Sequence, residues 1–257
     1  MSSVLTHVRS VESSWAATWT PAFANPVGGD LLLITFHARQ EIMPTSVTFG
    51  GVTAELIASA FWANPSVHVY GIRKANQPTE GQTHDLVVTW DEATTGMVTL
   101  TKLDDVSPSV QDGVLSSLTT AVVDNSNVSA NITTSVAAVV DSFLFAALSL
   151  RDGCPAELTS EGEVLTSQCF DPPRGGSVAL VSGISAGTHS VSWSWGSVHL
   201  RRHIVVVIPH TPSVGVSEEP FQLRHNPRTN KVIPVLSSPT VTDIGANCVR
   251  PRVSKGY

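Results

Sequence analysis

Gly183, Ser185 and Gly187 reproduce the G-x-S-x-G spacing, in which a serine nucleophile sits on a tight turn. Such a serine needs a strand before it and a helix after it, because the start of that helix supports the oxyanion hole. The residues that follow, Thr188 to Trp195, alternate serine with valine and tryptophan, which predicts a strand instead. We therefore interpret the match as a hairpin turn and predict that the chain is not an enzyme; a hydrolase using Ser185 is the remote alternative.

Histidine and arginine cluster at the start of the last predicted body strand, in the order His199, Arg201, Arg202 and His203. Alternation along a strand places His199, Arg201 and His203 on one face, where we expect solvent. No third ligand is identified, so we predict no metal and no cofactor. Four further acids lie in predicted turns without a calcium-loop pattern: Asp104, Asp105, Asp152 and Asp171.

The three cysteines, Cys154, Cys169 and Cys248, show no paired metal-ligand spacing. Cys154 and Cys169 are close enough in sequence to meet across a hairpin. The N-terminus shows no export signal, and no segment reaches the apolar length of a membrane span. We therefore expect two buried free thiols, in a protein that does not enter a membrane.

Six tryptophans raise the question of sugar binding, because exposed indole rings stack on sugars. Trp90, Trp193 and Trp195 lie within predicted strands and are expected in the core. Trp15, Trp19 and Trp62 are less constrained. The Phe61-Trp62 dipeptide predicts a loop tip, so Trp62 is the candidate glycan contact.

Charge is divided unevenly along the chain. Before Phe221 there are nine basic and twenty acidic residues, a formal charge of -11, whereas the remainder carries +5. An acidic body argues against nucleic-acid binding, which requires clustered lysine and arginine. The basic segment instead suits an acidic groove on another protein.

Short strand-like runs recur about every ten residues up to Ile208, separated by turn residues; they include residues 84–90, 97–103, 114–122, 188–195 and 200–208. The second half of this stretch repeats the style of the first. In Thr188 to Trp195 the tryptophans share one face and the serines the other, and Gly50-Gly51 predicts a tight turn. We predict an all-β antiparallel jelly-roll or β-sandwich body over residues 1–210, nearly free of helix.

Residues 211–257 form a different kind of segment, interrupted by Pro212, Pro220, Pro227, Pro234, Pro239 and Pro251. Proline prevents a long helix or central strand, yet the apolar content exceeds that of a disordered tail. We interpret this segment as an extended arm that binds a partner. Its candidate contact residues are Phe221, Leu223, Arg224, Arg228, Lys231, Val235, Ile244, Arg250, Arg252 and Tyr257.

Three pieces of the body, SVTFGGVTAELIASA (46–60), SVHVYGIRKANQPTEGQTHDLVVTW (66–90) and GMVTLTKLDDVSP (96–108), carry a resemblance. Together they resemble a module of bacteriophage virion proteins and some bacterial surface proteins with a jelly-roll, lectin-like sandwich. The sequence LDDV at 103–106 departs from the "GVDQ-P" turn of that family. The tail KVIPVLSSPTVTDIGANCVRPRVSKGY is similar to terminal segments of structural proteins of marine tailed phages.

The resemblance implies a virion component, either a capsid decoration (cement) protein or a tail or fibre subunit. The expected partners are major capsid or tail proteins and further copies of the chain, with a cyclic oligomer such as a trimer. Such a protein would reside in the virion after assembly in the host cytoplasm. The alternative is a carbohydrate-binding adhesin module that recognises a glycan on the host surface.

Overall fold

In the computed structural model, the described residues are 4–61, 64–124, 128–152, 156–172, 174–211, 223–226 and 231–234. The chain divides into two compact units, Met1–Ser213 and Val214–Tyr257. The first unit is built of antiparallel strands, which confirms the all-β sandwich prediction. Its two sheets each enclose a core of their own and also pack against each other.

The first sheet contains every strand up to residue 103 and has the order β5-β4-β8-β3-β7-β6, with β1 and β2 also paired to β8. The long β8 pairs with β4 through its first part and with β3 and β1 through its last part. The strands are β1 (Val4–Trp19), β2 (Ala22–Ala24), β3 (Leu31–Ala38), β4 (Pro44–Phe49), β5 (Val52–Thr53), β6 (Glu55–Ala60), β7 (Ser66–Arg73) and β8 (Thr83–Leu103).

The second sheet has the order β10-β15-β11-β14-β13, with β9 and β12 also paired to β15. A short helix, α1 (Pro108–Asp112), and a 3-10 turn, Leu115–Ser117, lead into it. Its strands are β9 (Thr120–Val123), β10 (Val128–Ala138), β11 (Ser142–Leu150), β12 (Glu157–Leu158), β13 (Glu163–Asp171), β14 (Arg174–Ile184) and β15 (Gly187–Pro209).

The two sheets repeat one topology. β3 lies between β7 and β8 in the first sheet, as β11 lies between β14 and β15 in the second. The long strands β8 and β15 correspond, and their first parts read THDLVVTW (83–90) and THSVSWSW (188–195). The body is therefore a tandem repeat of two half-bodies, which we call the first half (residues 4–103) and the second half (residues 120–209).

A shared apolar core joins the two halves, and the alternation of side chains explains how. In β3, Leu31 and Leu33 point to this inter-half core, whereas Leu32 and Ile34 point into the core of the first half. The corresponding strand β11 behaves alike, since Phe143 and Phe145 face the inter-half core and Leu144 and Leu148 the core of the second half. Every residue of β3 and β11 is consequently buried.

The observed turns and strands test several local predictions. The Gly50-Gly51 turn is confirmed, because both residues have positive φ (57° and 80°) and link β4 to β5. The predicted strand at 114–122 is wrong over its first half, where the 3-10 turn Leu115–Ser117 replaces it. The predicted pairs of strands at 84–90 and 97–103, and at 188–195 and 200–208, are single continuous strands.

The second unit is described only at two short strands, β16 (Leu223–Asn226) and β17 (Lys231–Pro234), which pair in antiparallel fashion. Strands of four residues fit a segment in which proline recurs every few residues. Most of the predicted arm lies outside the described residues.

Candidate functional surfaces

The G-x-S-x-G segment is a hairpin turn. Ile184 ends β14 and Gly187 begins β15, while Gly183 and Gly187 have positive φ of 70° and 146°. The imidazole Nε2 of His189 lies 2.8 Å from the backbone carbonyl oxygen of Ser185, to which it donates a hydrogen bond. A strand therefore follows the serine, as predicted, and the helix that a nucleophile elbow requires does not stand at this position.

The expectation of a solvated face bearing His199, Arg201 and His203 is wrong for His203. Its side chain is fully buried, and its Nδ1 lies 2.8 Å from Thr134 Oγ1. Its Nε2 accepts a hydrogen bond from the indole N–H of Trp193 at 3.1 Å. His203 faces the core of the second half, because its neighbour on β11 is Leu148, which belongs to that core together with Trp193. Local alternation does not reveal which face of the strand the rest of the fold covers.

Imidazoles are fully buried at His37, His68 and His203 of the first unit and partly buried at His7. Burial is the main cause that lowers the pKa of each, to about 4 for His7 and His68 and to about 3 for His37 and His203. His68 donates from Nε2 to the carbonyl of Ile42 at 2.8 Å and accepts at Nδ1 from Ser59 at 2.7 Å. These side chains are neutral structural groups in hydrogen bonds with hydroxyls and carbonyls.

Two of these histidines connect the halves. His37 Nδ1 lies 2.9 Å from Ser149 Oγ, and that hydroxyl donates to the carbonyl of Ser66 at 3.0 Å. His37 and Ser149 occupy corresponding positions of β3 and β11. His7 of β1 bonds Thr101 in its own half and Thr166 in the other, both at 2.8 Å. The interface between the halves thus has a polar part beside its apolar core.

Two fully buried cations complete the polar interior. The ammonium of Lys102 lies 3.2 Å from Glu80 Oε1 and 3.1 Å from Asn25 Oδ1, and it also donates to the carbonyl of Pro26. Glu80 additionally accepts from the backbone N–H of Gly28, and this bond is the main cause that lowers its pKa. Arg202 Nε lies 2.9 Å from Asp124 Oδ1. Both cations have carboxylate partners, as a structural role in the interior requires.

The tryptophans fall into two groups. Trp90, Trp193 and Trp195 are buried, which confirms their assignment to the core. Trp19 is buried as well, at 1% exposure, packing 4.8 Å from the ring of Trp90. Trp15 is half-exposed, and the guanidinium of Arg39 lies 4.8 Å from its ring centroid. The candidate glycan contact Trp62 lies outside the described residues.

Cys169 corrects the thiol prediction. It is disulfide-bonded and half-buried, where a buried free thiol was expected. The other two cysteines, Cys154 and Cys248, lie outside the described residues. The prediction failed because it relied on the redox compartment suggested by the N-terminus, whereas pairing depends on which cysteines the fold brings together.

The predicted turn acids do not assemble into a cation site in the described part of the chain, where no group of three or more metal-ligating side chains occurs. Asp105 occupies a turn with positive φ (57°), and its backbone carbonyl accepts a hydrogen bond from Thr211. No helix among the described residues is long and apolar enough to cross a membrane.

Of the candidate arm residues, Leu223, Arg224 and Lys231 have described backbones, in the β16–β17 hairpin, where Arg224 pairs with Ile233 and Asn226 with Lys231. The others lie outside the described residues: Phe221, Arg228, Val235, Ile244, Arg250, Arg252 and Tyr257.

Comparisons with known proteins add no relative. No protein-family model, curated protein or solved structure matches the chain.

Proposed function

We propose that this protein is a non-enzymatic structural subunit of a virus particle that attaches to neighbouring proteins through its C-terminal arm. The role is that of a capsid decoration (cement) protein or of a tail or fibre attachment subunit. The observation that carries the proposal is the contrast between an acidic body and a basic, proline-interrupted arm of considerable apolar content. The resemblance of the body to phage virion modules supports the same assignment.

The interior of the body supports a mechanical role. Three apolar cores run through it, His37 is bonded to Ser149 of the other half, and the buried cations Lys102 and Arg202 are paired with Glu80 and Asp124. A body of this kind resists deformation, because densely packed interiors transmit strain instead of absorbing it. A rigid body with a long attachment arm suits a subunit that reinforces a particle.

The arm would bind by a combination of charge and apolar anchoring. From Phe221 onward the arm carries a net charge of +5, which draws it toward an acidic groove, and its valines and isoleucines fill pockets there. Once the body rests on the particle, the arm binds at a high effective concentration, so modest contacts give firm attachment. Neighbouring acidic proteins, including other copies of this body, are the expected partners.

Deletion of residues 221–257 tests the proposal. We expect the truncated chain to remain folded and to be lost from purified particles, as measured by quantitative mass spectrometry of virions. Removing three of the arm's positive charges with R250Q, R252Q and K255Q should weaken incorporation in a salt-dependent way, since electrostatic attraction is screened by salt.

The matched control neutralises three exposed basic residues of the body, R9Q, K74Q and R151Q, and should leave incorporation unchanged. Incorporation of the arm-deleted chain at the wild-type level would refute attachment through the arm. If the full-length protein is absent from all purified virions, the virion role itself is refuted.

One observation favours the second candidate function, glycan binding. Trp15 is 49% exposed, and an indole with one open face is a platform for a sugar ring. A glycan array compares the wild type with W15A and with V27A, which truncates another exposed apolar side chain. Binding that W15A abolishes and V27A retains would support this function, and an array without binding would refute it.

A further inference from the structure

β10 forms one edge of the second sheet, and this edge is less protected than the edges formed by β1, β6 and β13. β10 pairs with β15 along one side, and no described strand pairs along its other side. From Asn131 to Ala138 the register with Ser194 to Gly187 is unbroken. An edge strand of this length presents a row of unpaired backbone N–H and C=O groups that can accept another strand.

The side chains of β10 leave this edge open. Ile132, Thr134, Val136 and Ala138 point inward and are buried. The outward residues are small and are held against the neighbouring strand: Thr133 bonds Ser192, and Ser135 bonds Ser190, each at 2.8 Å between hydroxyl oxygens. No long side chain screens the backbone, and Val128 to Val140 includes no proline and no ionisable residue.

The other edges of the same body serve as an internal comparison. β1, which pairs with β8 as β10 pairs with β15, carries the exposed Arg9 and has three register shifts. β13 carries the exposed Glu163 and has two register shifts. β6 is covered by the 3-10 turn, with the backbone N–H of Ser116 on Glu55 at 2.9 Å. Charges, bulges and cover are devices that prevent strand addition. From Asn131 to Ala138, β10 has no charged residue and no register shift, and no described strand pairs along its outer side; its one register shift lies between Ser129 and Asn131.

The distribution of charge on the body indicates which partner fits the β10 edge. The body carries a strongly negative formal charge, so two copies repel each other over most of their surfaces. Along the unbroken part of the pairing, residues 131–138 of β10 and 187–194 of β15, the only titratable side chain is His189; His199 lies beyond it, opposite Ser129. Two copies can therefore approach there at least electrostatic cost.

We propose that β10 pairs with β10 of a second copy of this chain, in antiparallel fashion about a two-fold axis, so that the two second halves share one continuous sheet. An isologous contact of this kind needs one self-complementary patch, which an uncharged strand edge provides. The exposed Val139 and Val140, at the end of β10, extend the same contact. The inference stands apart from the proposed role of the arm and holds whether or not the arm attaches to a particle.

The test introduces lysines at the edge and measures association of the full chain by sedimentation equilibrium over a dilution series. A two-fold axis perpendicular to the sheet brings outward residues opposite outward residues, so T133K/S135K places like charges together. We expect a concentration-dependent dimer for the wild type and a monomer for T133K/S135K. The control A17K/T18K adds the same charge at exposed positions of β1 and should dimerise like the wild type.

Both variants make the chain less acidic, so a dimer lost in T133K/S135K alone reflects the β10 edge and not general repulsion. A wild type that stays monomeric, or a T133K/S135K variant that is folded by circular dichroism and still dimerises, overturns the inference. Hydrogen exchange of the wild type provides a second reading, independent of any variant. Protection of the β10 amides should rise with protein concentration. Protection that does not depend on concentration would mean that the chain covers its own edge, and this result also overturns the inference.

Discussion

The buried histidines show how single residues set the chemistry of this interior. The indole of Trp193 donates to Nε2 of His203, so the ring is held in the tautomer that carries its proton on Nδ1. A second proton, on Nε2, would point at this indole N–H instead of at a hydrogen-bond acceptor. At His37, Nε2 is buried without a hydrogen-bond partner, and a proton on it would be an uncompensated charge. Geometry and burial therefore favour the neutral ring at both sites.

Acid should destabilise the body through these rings. Their folded-state pKa values, about 3 to 4, lie below the unfolded value of 6.5, so the unfolded chain takes up protons first as the pH falls. The contribution of the neutral rings is complete above pH 6.5. It declines below that by at most about 1.4 kcal/mol per pH unit for each histidine, until the folded pKa is reached. Thermal unfolding between pH 7.5 and pH 4.5 measures the loss.

The contribution of His37 is isolated by comparing H37N, which removes an inter-half imidazole, with T99V, which changes a buried side chain that does not titrate. H37N should flatten the pH dependence of the free energy of unfolding by about one proton. T99V should leave the slope of this dependence unchanged. A wild-type stability that is constant over this pH range would show that the buried rings do not titrate with unfolding.

At the scale of elements, close approach of strands makes specific glycines necessary. A Cβ on Gly176 of β14 would lie 2.6 Å from Cγ of His37 and 2.6 Å from Cε of Met97, both in the other half. G176A should therefore cost about 1–3 kcal/mol of unfolding free energy by overpacking. The matched control is G196A in β15, whose added Cβ meets nothing within 4 Å and should change stability by less than about 0.5 kcal/mol.

Urea unfolding at neutral pH measures both variants, with an unchanged m-value as the check that the folded and unfolded states remain comparable. Equal stability of G176A and the wild type would mean that the halves can move apart locally to admit a methyl group.

The same elements show what sequence patterns reveal and what they omit. Alternation in Thr188 to Trp195 correctly placed Val191, Trp193 and Trp195 inside. In β3 and β11, however, every residue is buried, because the two faces contact different cores. A continuous apolar run predicts burial but not which residues face which core. The match of THDLVVTW to THSVSWSW was a signal for the repeat, at a similarity too low to stand out before the strand order was known.

The candidate sites were predictable to a lesser degree for the same reason. The turn at Ser185 followed from local sequence, since glycine and the succeeding strand determine it. The environment of His203 did not, because it depends on β10, whose partner residue Thr134 lies 69 positions earlier in the chain. The unprotected edge of β10 likewise became visible only when its single pairing was known.

For the whole molecule, the shared core implies that the two halves unfold together. Leu31 and Leu33 of the first half and Phe143 and Phe145 of the second are all at most 2% exposed. If one half unfolded alone, the other would expose its share of this surface, at a cost of about 25 cal/mol for each Å² of apolar area. We therefore expect one cooperative transition, although the body contains two repeats with cores of their own.

Cavity variants placed in each separate core test this coupling. L148A removes a fully buried side chain from the core of the second half, and F36A does so in the first. Each should cost about 2–5 kcal/mol. Because the halves are coupled, L148A should lower hydrogen-exchange protection in β7 as much as in β14. F36A should lower this protection in β14 as much as in β7. If L148A spares β7 while β14 opens, the halves are independent, and the rigidity on which a reinforcing role depends would have to come from elsewhere.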